Sequence, residues 1–294
     1  MIVALPVSTR YRVFSTQYKR LSFRPTYTIR SLPPDMQPGR DLALITGASS
    51  GIGAEFARQL AARRIDLILT ARRRDRLEAL AAELTARHNV KISVIENDLN
   101  VPDGADRLCD ELAQRQLVPT VLINNAGFGY YSPFVEQPRE DIEALLQVNV
   151  RALTILCRRL GEEMAKRQHG YILNVSSFAA LAPIPRYSVY SGAKAYVVAF
   201  TQGIRHELSR RGVKVSVICP GFTRTEFHDV SRHEKTALMR ATELTPEQVA
   251  RAGLTGLERG KLLIVPGWWY KLNALAAGIL PRSIMSALSA RVVK

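Results

Sequence analysis

At 294 residues, 47% of them hydrophobic and 23% charged, the chain is long enough for one sizeable core and has globular composition, which excludes a disordered, collagenous or fibrous protein. Its three cysteines, Cys109, Cys157 and Cys219, are widely spaced and form no C-x-x-C, which argues against a disulfide framework or a cysteine zinc site and points to a reducing, cytoplasmic setting. The net charge of +15 is concentrated at the ends: residues 1–35 hold six basic groups and one acid, and six basic groups with no acid follow Glu258.

Residues 1–35 mix Arg, Ser, Thr, Tyr and Pro without helical or strand periodicity and close on Pro33-Pro34. They read as an extension, either an organelle-targeting presequence or sequence upstream of a start at Met36. From Asp41 the pattern becomes regular. Short apolar runs at Leu42–Thr46, Leu67–Ala71, Ile92–Ile95, Val121–Asn124, Ile172–Val175, Val213–Cys219 and Leu262–Val265 predict buried parallel strands. Between them, Ile52, Phe56 and Leu60 share one helical face, and Leu77, Leu80, Ala81 and Leu84 share another, with Asp75 as its expected N-cap and Glu78 three residues on. Seven strands with intervening helices predict an α/β fold, a Rossmann-type doubly wound seven-stranded parallel sheet with helices on both faces, over residues 36–267. After Gly267, the residues Trp268, Trp269, Leu272, Leu275, Ile279 and Leu280 form an apolar helical stripe, and Pro281 restarts a second helix with Ile284, Leu288 and Val292. This basic, aromatic tail, 268–294, is expected to lie on a membrane surface, over the substrate mouth or at a subunit interface. No run of 18 apolar residues occurs; Leu262–Leu280 is interrupted by Pro266, Lys271 and Asn273.

The first strand runs directly into Thr46-Gly47-Ala48-Ser49-Ser50-Gly51-Ile52-Gly53, and a helix starts inside that turn. Glycine at 47 permits a tight turn, at 51 it lets a pyrophosphate approach the backbone, and at 53 it allows helix and strand to pack closely. The helix N-terminus adds free N–H groups and positive potential. Taken alone, such a turn is also compatible with an ordinary strand-to-helix connection.

The spacing G-x-x-x-G-x-G resembles the short-chain dehydrogenase/reductase family. Further stations follow in that family's order: Asn124-Asn125-Ala126-Gly127, Asn149, Ser177, Tyr190-Ser191-Gly192-Ala193-Lys194 and Pro220-Gly221. The likeness covers Leu42 to about Gly267, and the motifs together are far more specific than any one of them. It implies an enzyme that reduces a ketone or aldehyde in a largely apolar substrate, akin to ketoacyl and hydroxysteroid reductases, with net alcohol oxidation or non-catalytic cofactor binding as the alternatives.

Tyr190 and Lys194 stand at i and i+4, so both project from one helical face, and a cation there favours phenolate over phenol. Tyr190 is the expected proton donor to the carbonyl oxygen, Ser177 hydrogen-bonds that oxygen, and Lys194 also holds the nicotinamide ribose. By resemblance, Asn149 anchors a water that links Lys194 to solvent. At the end of the second strand, where NAD-dependent relatives carry an acid, this chain has Ala71 followed by Arg72-Arg73-Arg74. With no carboxylate to repel a phosphate, Arg72 is the expected reader of a 2′-phosphate, which favours NADP(H); Arg74, and to a lesser degree Arg73, reads as solvated. Ser50 stands where some NADPH-dependent relatives have a basic residue. Asp98 is placed for the adenine amino group and Thr223 for the carboxamide. The cofactor set is thus Gly47, Ser49, Ser50, Gly51, Ile52, Gly53, Arg72, Asp98, Asn125, Ala126, Gly127, Tyr190, Lys194, Pro220, Gly221 and Thr223. His88, His169, His206, His228 and His233 show no metal spacing, and no metal is expected; His228 and His233 fall in the segment 224–245, where the family has its substrate lid. A small-molecule substrate and a homo-oligomer are expected, and no nucleic acid, since no zinc-finger, RNP-like or helix-turn-helix signature occurs.

Overall fold

Strands formed from the apolar runs pair into one seven-stranded parallel sheet of order β3-β2-β1-β4-β5-β6-β7. The strands are β1 (Leu42–Thr46), β2 (Asp66–Ala71), β3 (Ile92–Glu96), β4 (Val121–Asn124), β5 (Gly170–Val175), β6 (Val213–Ile218) and β7 (Leu263–Ile264). In this computed structural model residues 36–227 and 236–279 are described. The N-terminal extension, His228, His233 and the second tail helix expected after Pro281 lie outside the described residues. Strands β4, β5 and β6 are buried along their whole length, as a sheet covered on both faces requires. The seventh strand is shorter than the sequence predicts, because Leu262 and Val265 fall outside the ladder.

Helices α1 (Gly51–Ala62) and α2 (Arg74–His88) cover one face of the sheet, and α3 (Gly104–Gln114), α5 (Leu153–Arg167) and α6 (Ser188–Ser209) cover the other. Helix α4 (Arg139–Leu146) runs through a π-helical turn, Gln147–Ala152, into α5. Beyond β6 the described residues form the helices α7 (Ala237–Ala241) and α8 (Pro246–Glu258), and α8 packs beside α1. A capping box starts α8: Thr245 Oγ1 accepts from the Gln248 amide at 3.2 Å, and Gln248 Oε1 accepts from the Thr245 amide at 3.0 Å. The last described helix is α9 (Trp268–Ile279).

The expected cap at Asp75 is not formed. Helix α2 begins two residues earlier, with Arg73 at its N-cap and no side-chain cap; Asp75 stands in the first turn, where its charge meets the positive end of the helix dipole. Glu78 is paired with Arg74 Nε at 2.7 Å and does not reach back to the cap.

The strand order reverses between β1 and β4, so their C-terminal ends open onto a crevice at the switch point of the sheet. At the opposite, N-terminal end, Asp41 Oδ1 accepts from Thr120 Oγ1 at 2.7 Å and lies 2.7 Å from His169 Nε2, closing the bottom of β1, β4 and β5 with a buried polar cluster. Among the described residues, no helix is long and apolar enough to cross a membrane.

Candidate active site

A cleft of about 630 Å³ occupies the crevice and runs from Arg72 and Asp98 past the glycine turn to Tyr190. The backbone at Gly47 and Gly51 has φ of +66° and +55°, a conformation that L side chains rarely adopt. A Cβ on Gly53 would lie 2.3 Å from Gly47 O and 2.5 Å from Asn125 Nδ2, so α1 starts pressed against its own turn. Thr46 and Asn125 lock that turn to β4. Thr46 Oγ1 accepts from the Asn125 and Ala126 amides at 3.0 Å each, and Asn125 Nδ2 donates to Thr46 O at 2.9 Å. Asn124 turns away from the cleft, donating to Asn174 Oδ1 at 2.9 Å.

Asn149 is fully buried in the π-helical turn, and its Nδ2 donates to Phe128 O at 2.8 Å and Leu145 O at 3.0 Å. Among the described residues its Oδ1 has no hydrogen-bond partner. A Cβ on Gly127 would lie 2.5 Å from that oxygen and 3.0 Å from Lys194 Nζ, so the bare glycine keeps a polar pocket open between the two side chains.

Helix α6 carries Tyr190 and Lys194 on its buried side, with Nζ 5.7 Å from the centre of the tyrosine ring. Lys194 Nζ donates to Val175 O at 3.0 Å, at the end of β5. Ser177, just beyond that strand, caps a short 3-10 turn by accepting from the Ala179 amide, and its hydroxyl is hydrogen-bonded to Tyr190. Burial pushes the Lys194 ammonium down to about 8. It also pushes the Tyr190 phenol up, and the bond from Ser177 only partly offsets that. The cation one turn away therefore does not make Tyr190 a phenolate in this environment, because desolvation of a buried phenol outweighs it. The Tyr190 ring packs against Phe227 and Tyr187, and a Cβ on Gly129 would come within 2.7 Å of it.

At the far end of the cleft, Arg72 is exposed and lines the wall, and Arg74 points to solvent with Glu78. Arg73, which the sequence left between a solvated residue and a second phosphate reader, is the one that reaches the glycine turn. Its Nη2 donates to Ser49 Oγ at 3.0 Å and Ser50 Oγ at 2.8 Å. Asp98 Oδ1 accepts from the Asn100 amide at 2.9 Å and lines the same end. Ile52, Ala126, Pro220, Gly221 and Thr223 also line the cleft, and Thr223 Oγ1 donates to Gly221 O at 3.0 Å. Tight glycine turn, paired hydroxyls, clustered guanidinium groups and the open polar pocket by Lys194 together fit a phosphate-bearing dinucleotide.

Helix α9 belongs to this site, which the sequence left open. Tyr270 lies flat on Gly221, where a Cβ would be 1.9 Å from its ring, and its hydroxyl accepts from the Phe222 amide at 3.0 Å and meets Thr242 Oγ1 at 3.1 Å. Trp269, Asn273 and Ala276 complete that wall, so Trp269, partly exposed, parts from the single apolar stripe expected for it with Trp268, Leu272, Leu275 and Ile279. A glycine that tolerates no Cβ next to a lone tail tyrosine was the available signal, but nothing in the spacing pairs residues that far apart. The cysteines take no part: Cys109, Cys157 and Cys219 are buried, and burial raises each thiol, Cys219 to about 12.

A family model described as short chain dehydrogenase matches residues 41–236. A very-long-chain 3-oxoacyl-CoA reductase of Anas platyrhynchos is 31% identical over 223 residues, covering 74% of this chain and 69% of the relative; other curated relatives are spanned over as little as 46% of their length. Among solved structures, a short-chain dehydrogenase from Sphingobium yanoikuyae in complex with NADPH superposes with a TM-score of 0.73 at 33% identity, covering 81% of this chain and 94% of that one. A bulky-bulky ketone specific alcohol dehydrogenase from Comamonas testosteroni gives 0.69 at 30% identity, covering 81% and 93%. With its crevice, motif order and two-thirds of its length matched in this way, the chain belongs to the short-chain dehydrogenase family and is an NAD(P)-dependent oxidoreductase.

Proposed function

We propose that the protein is an NADPH-dependent reductase of a ketone or aldehyde in a bulky, largely apolar substrate of ketoacyl or steroid-like character. The observation that carries this reading is a neutral, buried Tyr190 bonded to Ser177 at the floor of a cleft walled by Tyr187, Ile184, Phe227 and Trp269. A nicotinamide held in this cleft would supply the hydride. Tyr190 gives its proton to the carbonyl oxygen, Ser177 holds that oxygen, and the Lys194 ammonium stabilises the tyrosinate left behind and holds the cofactor ribose. Asn149 Oδ1 holds the water that returns a proton through Lys194. The same residues serve alcohol oxidation in reverse.

NADPH is favoured by Arg72 and Arg73, which follow an Ala71 that leaves the end of β2 itself without a carboxylate, and the NADPH complex of the Sphingobium relative agrees with this choice. The apolar walls agree with the long-chain and bulky substrates for which the Anas and Comamonas relatives are named. The test is consumption of NADPH and NADH by the purified chain with ketoacyl thioesters, steroid ketones, quinones and small aldehydes. Turnover of bulky carbonyls with NADPH is expected, and the variants Arg72→Ala and Arg73→Ala should each weaken NADPH by roughly 10- to 150-fold with little change for NADH. Equal use of both cofactors, or no carbonyl-dependent turnover, sinks the reading. If Arg72→Ala weakens both cofactors alike, Arg72 only supports the loop and Arg73 reads the phosphate.

A second element, contact with a membrane surface, rests on the outward face of α9. Trp268, Leu272, Leu275 and Ile279 are 75%, 56%, 67% and 83% exposed, while the inward face of the same helix walls the cleft. Such a helix delivers a lipid-like substrate from the surface it rests on. Co-sedimentation with anionic vesicles is expected, weakened by salt and abolished by Leu272→Asp with Leu275→Asp. Concentration-dependent dimers lost in the same variant would instead place a second copy on this face.

A further inference from the structure

The chain leaving β6 is tied to the adenosine end of the cleft by one carboxylate. Glu226 Oε2 accepts from Arg73 Nη1 at 2.8 Å, and its Oε1 accepts from Arg76 Nη1 at 2.6 Å. Arg73 is otherwise committed to the glycine turn: Nε donates to Ser49 Oγ at 3.2 Å, and Nη2 to both Ser49 and Ser50. Of the five N–H donors of that guanidinium, these contacts take four. On either side of Glu226, the arm lies across the cleft. Thr225 Cγ2 would be 3.0 Å from a Cβ on Gly51, and the Phe227 ring centre is 5.4 Å from that of Tyr190.

This is no core ion pair. Arg73 and Glu226 are both about half exposed, a setting in which an ion pair contributes little to stability and its partner is readily exchanged. The two guanidinium groups hold the Glu226 carboxyl down at about 2, so it is an anion throughout the neutral range. Ser49 and Ser50 accept from Arg73 and keep their own hydroxyl protons for another acceptor. The turn therefore presents an anion-binding set whose guanidinium is already engaged by an anion from the same chain.

We propose that Glu226 is an internal stand-in for the cofactor 2′-phosphate: it holds Arg73 and Arg76 until the phosphate replaces it, and its release frees the arm from Thr225 to Phe227 beside Tyr190. The proposal rests on the NADPH reading above. Exchange of a carboxylate for a phosphate dianion makes Glu226 a specificity residue, because its competition is felt by a 2′-phosphate and not by a 2′-hydroxyl. It also couples recognition at the adenosine end to the packing of Phe227 on the candidate proton donor.

Calorimetric titration of the full chain with 2′,5′-ADP and with 5′-ADP tests it without turnover. The wild type should prefer 2′,5′-ADP. Glu226→Gln, which keeps the shape and removes the charge, should tighten 2′,5′-ADP by about 3- to 30-fold and leave 5′-ADP within about twofold, with the gain shrinking as salt rises. Arg73→Ala should cut the preference by roughly 10- to 150-fold and, in Arg73→Ala with Glu226→Gln, remove most of the gain. A wild type that binds both ligands equally overturns the NADPH reading and this proposal together. A wild-type preference that Glu226→Gln weakens or leaves unchanged overturns the proposal alone and makes Glu226 a positioning residue for Arg73.

Discussion

Replacing Tyr190 with phenylalanine is expected to lower kcat by roughly 10²- to 10⁴-fold while changing affinity for the dinucleotide by no more than about twofold. The ring is held by Tyr187 and Phe227 and lies over Gly129, so phenylalanine keeps every packing contact and loses only the hydroxyl and its bond to Ser177. Burial has raised the phenol, so at neutral pH the group stands in the form that donates a proton, which is the form carbonyl reduction needs. Single-turnover kinetics with saturating cofactor checks this, since release steps drop out. Wild-type rates in Tyr190→Phe would move proton donation to another group.

The second large effect is one of stability with pH. The Lys194 ammonium is buried and falls from an ordinary 10.5 to about 8, whereas in the unfolded chain it keeps the ordinary value. Between these values the unfolded state binds more protons, so the burial cost is fully present below pH 8 and is relieved as pH rises toward 10.5. Lys194→Met removes the titration. Relative to that variant, the cofactor-free wild type should therefore gain about 2 kcal/mol between pH 8 and 9.5. Stopping at 9.5 keeps the comparison clear of Tyr190, whose raised value acts in the opposite direction above pH 10. Urea unfolding at the two pH values measures the gap, and a constant gap would mean that Lys194 titrates normally. Loss of turnover in Lys194→Met at both values would show the buried charge as a stability cost retained for chemistry.

Much of the site was legible because its constraints are local. A run such as Val213–Ile218 is apolar on both faces since both faces of its strand are covered. The glycine turn is readable for the same kind of reason: positive φ at Gly47 and Gly51, and an oxygen 2.3 Å from any Cβ at Gly53, restrict those positions through neighbours a few residues away. Tyr190 and Lys194 share a face through helix geometry alone. By contrast, Asp75 is the better N-cap by residue type, yet the helix begins at Arg74 with Arg73 at its N-cap, a boundary that local preference does not give.

By itself, then, the sequence determined the sheet, its glycine turn and the shared face of Tyr190 and Lys194, because each follows from steric rules acting over one turn or one strand, whereas Asn149 and Ser177 were legible only through the order of the family's motifs. Tertiary structure alone decided that Arg73 reaches Ser49 and Ser50, that Glu226 crosses to it from beyond β6, that Tyr270 seals Gly221, and that desolvation outweighs a nearby cation at Tyr190. These depend on which surfaces pack together and how much water they exclude. No period along the chain encodes a contact between residues as far apart as Arg73 and Glu226, so only the folded arrangement brings such charges within hydrogen-bond reach.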